Sequence, residues 1–505
     1  MKLTRRGFLA LAGAAATAAC DVGVTPQTPS ADASLEDAAA TEDVTATDAT
    51  SPDDAPNEAA VDDAAVDDAA VDAAEPEDAT TPSDAPGVDA TMMLPELGAV
   101  FPLGVMAGDM DARSAVLWTR FTGRASLALR VERMEDGRAV ERAHEADVTP
   151  GPDGFTHVTV EGLRAGQRYR AVFLTRDGGM DTGRSRPVRF RVALADDALE
   201  PVVFGATSCT KANFRPFAPL QRIGEHGELD FFVHLGDMVY CDGARSLADF
   251  REKYAENYTS DGFRKMFGAA GLYSTWDDRE VDNNWNPESV SASTLDNARR
   301  AYFEHRAQRR DPTDPNRIWR SARWGNTLEL FILDCRGERR PSTRTSRSAQ
   351  YLSRAQMDWL KDRLARSTAR FKVVVNSVPM ANFPFTLGAG EDRWEGYDAA
   401  RDEILDHITS RNLRGVWWLS GDFHFACIGK LENSGARSAM RDILVGPGGQ
   451  LPNPLFLTTI PPQFDFTTGE NNYAILRADP ARNELSVRYI NGAGRVIFER
   501  AFPNP

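Results

Sequence analysis

Six side chains spread along the chain are of the types that hold metal ions: Cys209, Asp237, Tyr240, Asn284, Asp422 and His424. A carboxylate such as Asp237 can bridge two cations about 3.5–4 Å apart. His424 offers an imidazole, and Asn284 and Asp422 offer oxygen to a harder cation. Cys209 and Tyr240 become thiolate and phenolate once a strong Lewis acid lowers their pKa. Together they would form a dinuclear centre. Taken singly, each has a plainer use. A buried cysteine packs, a histidine hydrogen-bonds, and Asn283-Asn284 suits a turn. Arg336 suits a salt bridge, and Asp334 suits the bracing of a loop.

The case for a shared site is where these residues fall. The stretch 229–242, LDFFVHLGDMVYCD, opens as an apolar run and stops at Gly236-Asp237, with Tyr240 three residues on. Such a run reads as a buried strand, and α/β sheets present ligand groups at strand ends. Strands predicted over 201–207, 272–276, 327–333, 371–376 and 415–419 stop in the same way. They end at Ser208-Cys209, Asp277-Asp278, Asp334-Cys335-Arg336, Ser377 and Asp422-Phe423-His424. Helices predicted over 217–223, 247–266, 295–308, 353–367 and 401–410 alternate with them. The outcome is an α/β body over 200–505, closed by a hairpin around Asn491-Gly492.

Ahead of it, 96–195 reads as evenly spaced short strands (115–121, 125–131, 156–160, 169–174, 188–192), the pattern of an all-β, Ig- or fibronectin-like sandwich. Gly162-Leu163 followed by Tyr169 suits the tyrosine corner of such sandwiches. Residues 21–95, with the repeat AAVDDAAVDDAAVDAA, cannot bury a core and read as a disordered acidic Asp/Ala-rich linker. Residues 1–20 read as an export signal, too short for a mature membrane span. Thr4-Arg5-Arg6-Gly7-Phe8-Leu9 looks like a twin-arginine signal, and Thr17-Ala18-Ala19-Cys20 resembles a lipoprotein cleavage box. Two outcomes stand open: acylation at Cys20, tethering the protein to a membrane, or cleavage near Ala19, releasing it. Either way the chain is expected in the periplasm or cell envelope, as a monomer.

The formal charge of −16 belongs to the linker. Setting aside the twenty acids of 21–95 and the three bases of 1–20 leaves the rest at about +1. A near-neutral body gives no ground for nucleic-acid recognition. Cys20, Cys209, Cys241, Cys335 and Cys427 show no CxxC or regular spacing, which argues against a disulfide framework.

The motifs SC (208–209), HLGDMVY (234–240), WDDREVDNN (276–284), LDCR (333–336), WEGYDAAR (394–401) and SGDFH (420–424) resemble those of the PhoD-like alkaline phosphatases, within the metallophosphoesterase superfamily. FPLGVMAGD (101–109) and AVLWTRF (115–121) look like that family's N-terminal sandwich. The resemblance implies a two-sheet catalytic core flanked by helices and a phosphoesterase using Fe3+ and Ca2+. By motif, Cys209, Asp237, Tyr240 and His424 would hold the iron, and Asp237, Asn284 and Asp422 the calcium. It further implies in-line attack by metal-bound hydroxide on a small-molecule or polymer phosphoester, with Arg336 taking up phosphoryl charge. The family's WDDHE is WDDRE here. Arg279 stays protonated and cannot shuttle a proton, but it can clamp a phosphate oxygen. Two alternatives accompany this expectation: a phospholipase-like diesterase on lipid or teichoic-type polymers, and a non-catalytic surface lipoprotein.

Overall fold

A computed structural model describes residues 90–383 and 391–505. The signal, Cys20 and nearly all of the acidic linker lie outside the described residues. The last linker residues do not: Ala90–Met93 forms a helical turn. Thr91 is buried there and its hydroxyl accepts from Arg130 at 2.8 Å. The described residues thus reach about six positions ahead of residue 96, into the segment where the composition turns apolar at Met92-Met93-Leu94.

Two sheets face each other. The first has nine strands, in the order Val496–Pro503, Glu484–Asn491, Asn472–Asp479, Val202–Thr207, Phe231–His234, Gly271–Ser274, Val105–Gly108, Ala115–Arg120 and Phe155–Val160. The second has seven: Arg320–Trp324, Leu328–Ile332, Phe371–Asn376, Val416–Ser420, Arg441–Leu444, Ala426–Lys430 and Phe464–Thr468. Strand alternation sets the layers. Phe231, Val233, Leu330 and Ile332 point into one shared core. Phe232 packs outward under the helices Leu247–Tyr258 and Asp261–Ala269, and Phe331 outward under Arg354–Arg366 and Asp398–Ser410. The result is helices, sheet, sheet, helices, the architecture expected from the motifs.

The segment 96–195 contributes to two sheets. Ser126–Glu135, Arg138–Val148, Arg168–Asp177, Met180–Arg184 and Val188–Arg191 form a five-stranded sheet. Its other strands hydrogen-bond into the nine-stranded sheet. The tyrosine corner is present, with the Arg164 amide donating to the Tyr169 hydroxyl at 2.8 Å. One predicted helix, 247–266, is two. The chain breaks at Thr259-Ser260, where the Ser260 hydroxyl accepts from the Phe263 amide at 3.4 Å and caps a second helix. Among the described residues no helix is long and apolar enough to cross a membrane.

Register brings the chemistry to one edge. Thr207, His234 and Ser274 lie level in the first sheet, as do Asn376, Ser420 and Leu444 in the second. Cys209, Asp237, Asp422 and His424 follow two to four positions later, Tyr240 six and Asn284 ten.

Candidate metal centre

Each strand must turn sharply at its tip, and the backbone shows how. Cys209, Asp237, Asn284, Asp422 and His424 have φ of 55°, 54°, 51°, 73° and 55°. Left-handed backbone costs a non-glycine residue on the order of 1–3 kcal/mol, and such residues cluster at functional sites. Two glycines allow the tips to meet. A Cβ on Gly236, at φ 106°, would stand 2.5 Å from the Asp277 Cβ, and one on Gly421 would stand 2.7 Å from that of Ser208. The first contact joins neighbouring strands; the second joins the two sheets.

The side chains converge. Cys209, Asp237 and His424 each offer one donor atom, all within 4.8 Å of one another, and Asp237, Asp277 and Asp278 do likewise. Asp237 belongs to both groups. The Tyr240 hydroxyl lies 3.2 Å from Asp237 Oδ2 and 3.2 Å from His424 Nε2. Glu280 locks the scaffold beneath. Its carboxylate accepts from the amides of Asp237, Met238 and Asp277 at 2.9, 2.7 and 3.0 Å.

Buried negative groups crowd one another here. Burial pushes Asp237 and Asp422 well above the usual carboxylate range, and neighbouring aspartates push further. Burial, with Asp237 beside them, raises the Cys209 thiol and Tyr240 phenol. Burial and then Arg279 hold His424 down at about 4. Asp278 Oδ1 is buried without a hydrogen-bond partner among the described residues. Such groups lose their protons to a cation at the centre of the cluster, so the donor set fits a metal pair. The Cys209, Tyr240 and His424 side suits a softer or more strongly Lewis-acidic ion; the oxygen side suits a harder one.

The candidates differ in how they sit. Asp422 faces the acidic side, its Oδ1 3.3 Å from the Arg336 guanidinium. Asn284 is exposed; its backbone N–H donates to Asp278 Oδ2 at 2.6 Å. Arg336 corrects an expectation. It is fully buried, and its guanidinium is engaged by Asp277 at 2.5 and 3.0 Å, by Asp422, and by Asp392. With its nitrogens so committed, it braces carboxylates rather than reaching a phosphate. Arg279 is partly exposed and lies at the rim. Its Cζ is 5.2 Å from the Tyr240 ring and its Nη1 is 2.6 Å from Asp242. Asp278, Glu280 and Asp392 were not among the candidates. The DDRE run carried a signal for the first two, whereas Asp392 sits in a loop with none.

The chain matches the PhoD-like phosphatase description over residues 204–446 and that of the PhoD-like N-terminal domain over 92–189. It is similar to alkaline phosphatase D of Bacillus subtilis (strain 168), 28% identical over 381 residues. That match spans 64% of this chain and 64% of the relative, a little under two thirds of its length. Among solved structures, that of PhoD covers 79% of this chain and 92% of its own, with TM-score 0.67 and 21% identity. Purple acid phosphatase PPD1 from yellow lupin (Lupinus luteus) seeds shares the fold over 79% and 73%, with TM-score 0.56 and 11% identity. With both domain descriptions matched in order along the chain, and the strand tips gathered as such a fold requires, the chain belongs to the PhoD-like phosphatase family.

Proposed function

We propose that this protein is an exported, metal-dependent phosphoester hydrolase that releases phosphate from organic phosphoesters, with Fe3+ and Ca2+ as its metals. The observation that carries the reading is Asp237 standing in two donor groups at once, one with Cys209 and His424, the other with Asp277 and Asp278. When bound, the metals supply Lewis acidity, activating water and neutralising charge on phosphoryl oxygens. The chain's own residues do the rest. Tyr240 and His424 face one side of Asp237; Asp278 and Asp422 supply oxygen on the other, with Asn284 in the adjoining turn. Glu280 and Arg336 hold the carboxylates in place. Arg279, fixed at the rim, is the group placed to meet a phosphate oxygen. It keeps its charge at all working pH values and cannot protonate a leaving group, so esters of acidic alcohols are the preferred substrates. The twin-arginine signal agrees, since that pathway carries folded, metal-loaded proteins. Cys20 supplies the membrane tether if acylated.

One observation favours a second reading, a diesterase on lipid or teichoic-type polymers. Leu451 and Leu457 are 69% and 70% exposed. They flank Asn453, whose amide donates to the His424 carbonyl at 3.1 Å, so apolar surface borders the centre.

Metal analysis of the purified full chain, paired with a panel of mono- and diesters, tests the proposal. We expect iron and calcium, turnover, and a visible absorption band from a Tyr240 phenolate on ferric iron that Tyr240→Phe removes. A colourless, metal-free and inactive protein would leave only the non-catalytic surface lipoprotein.

A further inference from the structure

We propose that Lys211 reads the charge of the substrate's phosphate end and favours dianionic monoesters over monoanionic diesters; this rests on the phosphoester reading above. Lys211 lies two residues after Cys209, and its backbone is fixed. Its amide donates to the Gly449 carbonyl at 2.8 Å, and its carbonyl accepts from the Phe214 amide at 2.9 Å. The half-buried side chain brings Nζ within 5.7 Å of the Tyr240 ring centroid. The hydroxyl of that ring touches both Asp237 and His424, and the lysine's charge reaches His424 as well.

Two cations thus stand over one ring, and they are not equivalent. Arg279 is tied to Asp242 at 2.6 Å. The Lys211 ammonium has neither a carboxylate nor a hydrogen-bond partner among the described residues. By contrast, Lys253 is engaged with Glu256, Lys361 with Glu403 and Lys372 with backbone carbonyls. An uncompensated ammonium beside a site for anionic substrate acts as a point charge. Its attraction grows with the charge it meets. Above a second pKa of about 6 a monoester carries close to two negative charges, whereas a diester carries one.

The test uses the metal-loaded full chain at pH 8, with p-nitrophenyl phosphate and bis(p-nitrophenyl) phosphate, which share a leaving group. In Lys211→Met we expect the monoester-to-diester ratio of kcat/KM to fall about tenfold, through KM rather than kcat. Lys211→Arg should hold the ratio within about threefold, because the charge is kept. Metal content should equal that of the unaltered protein. An unchanged ratio would overturn the proposal. So would equal losses on both esters accompanied by loss of metal, because Lys211 would then only be offsetting the charge of the cluster. Calorimetric titration with inorganic phosphate gives a reading that needs no turnover, and Lys211→Met should bind about tenfold more weakly. If the unaltered protein hydrolyses neither ester, the functional proposal falls, while equal phosphate affinity in the variant would still refute the role of Lys211.

Discussion

Asp278 and Asp334 sit just past the ends of facing buried strands, one in each sheet, and they have opposite roles. Both are nearly inaccessible, at 2% and 4% exposed. Asp334 Oδ1 accepts from the Trp276 indole at 2.7 Å and from the amides of Arg336 and Gly337 at 3.0 and 2.7 Å. Three donors converge on that one oxygen, and they staple one strand end to the next. Asp278 accepts one backbone N–H on Oδ2, and its Oδ1 is buried and unpartnered among the described residues. A buried acceptor left open is costly, and a cation at the centre would satisfy it. A carboxylate at a strand tip is therefore a ligand or a brace according to how many donors the fold has already aimed at it. The same contrast separates Asp237, shared by two donor groups, from Asp442, whose oxygens accept from the amides of Met380 and Ala381 and the Ser420 hydroxyl.

The strongest way to break this contrast is at the shared residue. Asp237→Asn should reduce kcat/KM on the order of a thousandfold or more and lower the content of both metals, with far-ultraviolet circular dichroism unchanged. Substantial residual turnover would remove Asp237 from the centre. Next comes Asp278→Asn, which keeps an oxygen for the backbone N–H of Asn284 and gives up the open carboxylate. Loss of a supporting group typically weakens metal binding roughly 10–100-fold, and Asp278→Asn should weaken the harder metal by more than that. Competition with a calibrated chelator measures it; unchanged affinity would mean that the orphaned oxygen holds only water. Third is Arg336→Met. Removing a buried cation from Asp277, Asp392 and Asp422 should cost about 3–5 kcal/mol in urea unfolding. A rise in KM at unchanged stability would instead restore Arg336 as a phosphate clamp.

The sequence showed the convergence but not this division of labour. Strand tips at Cys209, Asp237, Asp334 and Asp422 were legible because apolar runs stop abruptly at a polar residue. The partner strands were not. Arg138–Val148 is mostly exposed and charged, with no apolar face to mark it. That Val105–Gly108 and Ala115–Arg120 join the nine-stranded sheet depends on tertiary pairing that no local pattern encodes. Within the site, residue type identified Cys209, Tyr240 and His424 as candidates. Whether Arg336 faces a phosphate or three carboxylates depends on neighbours distant in sequence, as does the state of each lone pair on Asp278.

The gentlest test is Asp334→Asn, and it sharpens the comparison because it makes the same chemical change as Asp278→Asn across the interface. The asparagine oxygen can still receive the Trp276, Arg336 and Gly337 donors, but as a neutral acceptor. Hydrogen bonds to a charged group are roughly twice as strong as neutral ones, so the expected loss is about 1–2 kcal/mol in urea unfolding. Metal content should hold, and kcat/KM should stay within about threefold of the unaltered enzyme. If Asp334→Asn instead stripped a metal while leaving stability intact, a carboxylate already holding three donors would be serving as a ligand. Counting donors at each strand tip would then no longer separate braces from ligands.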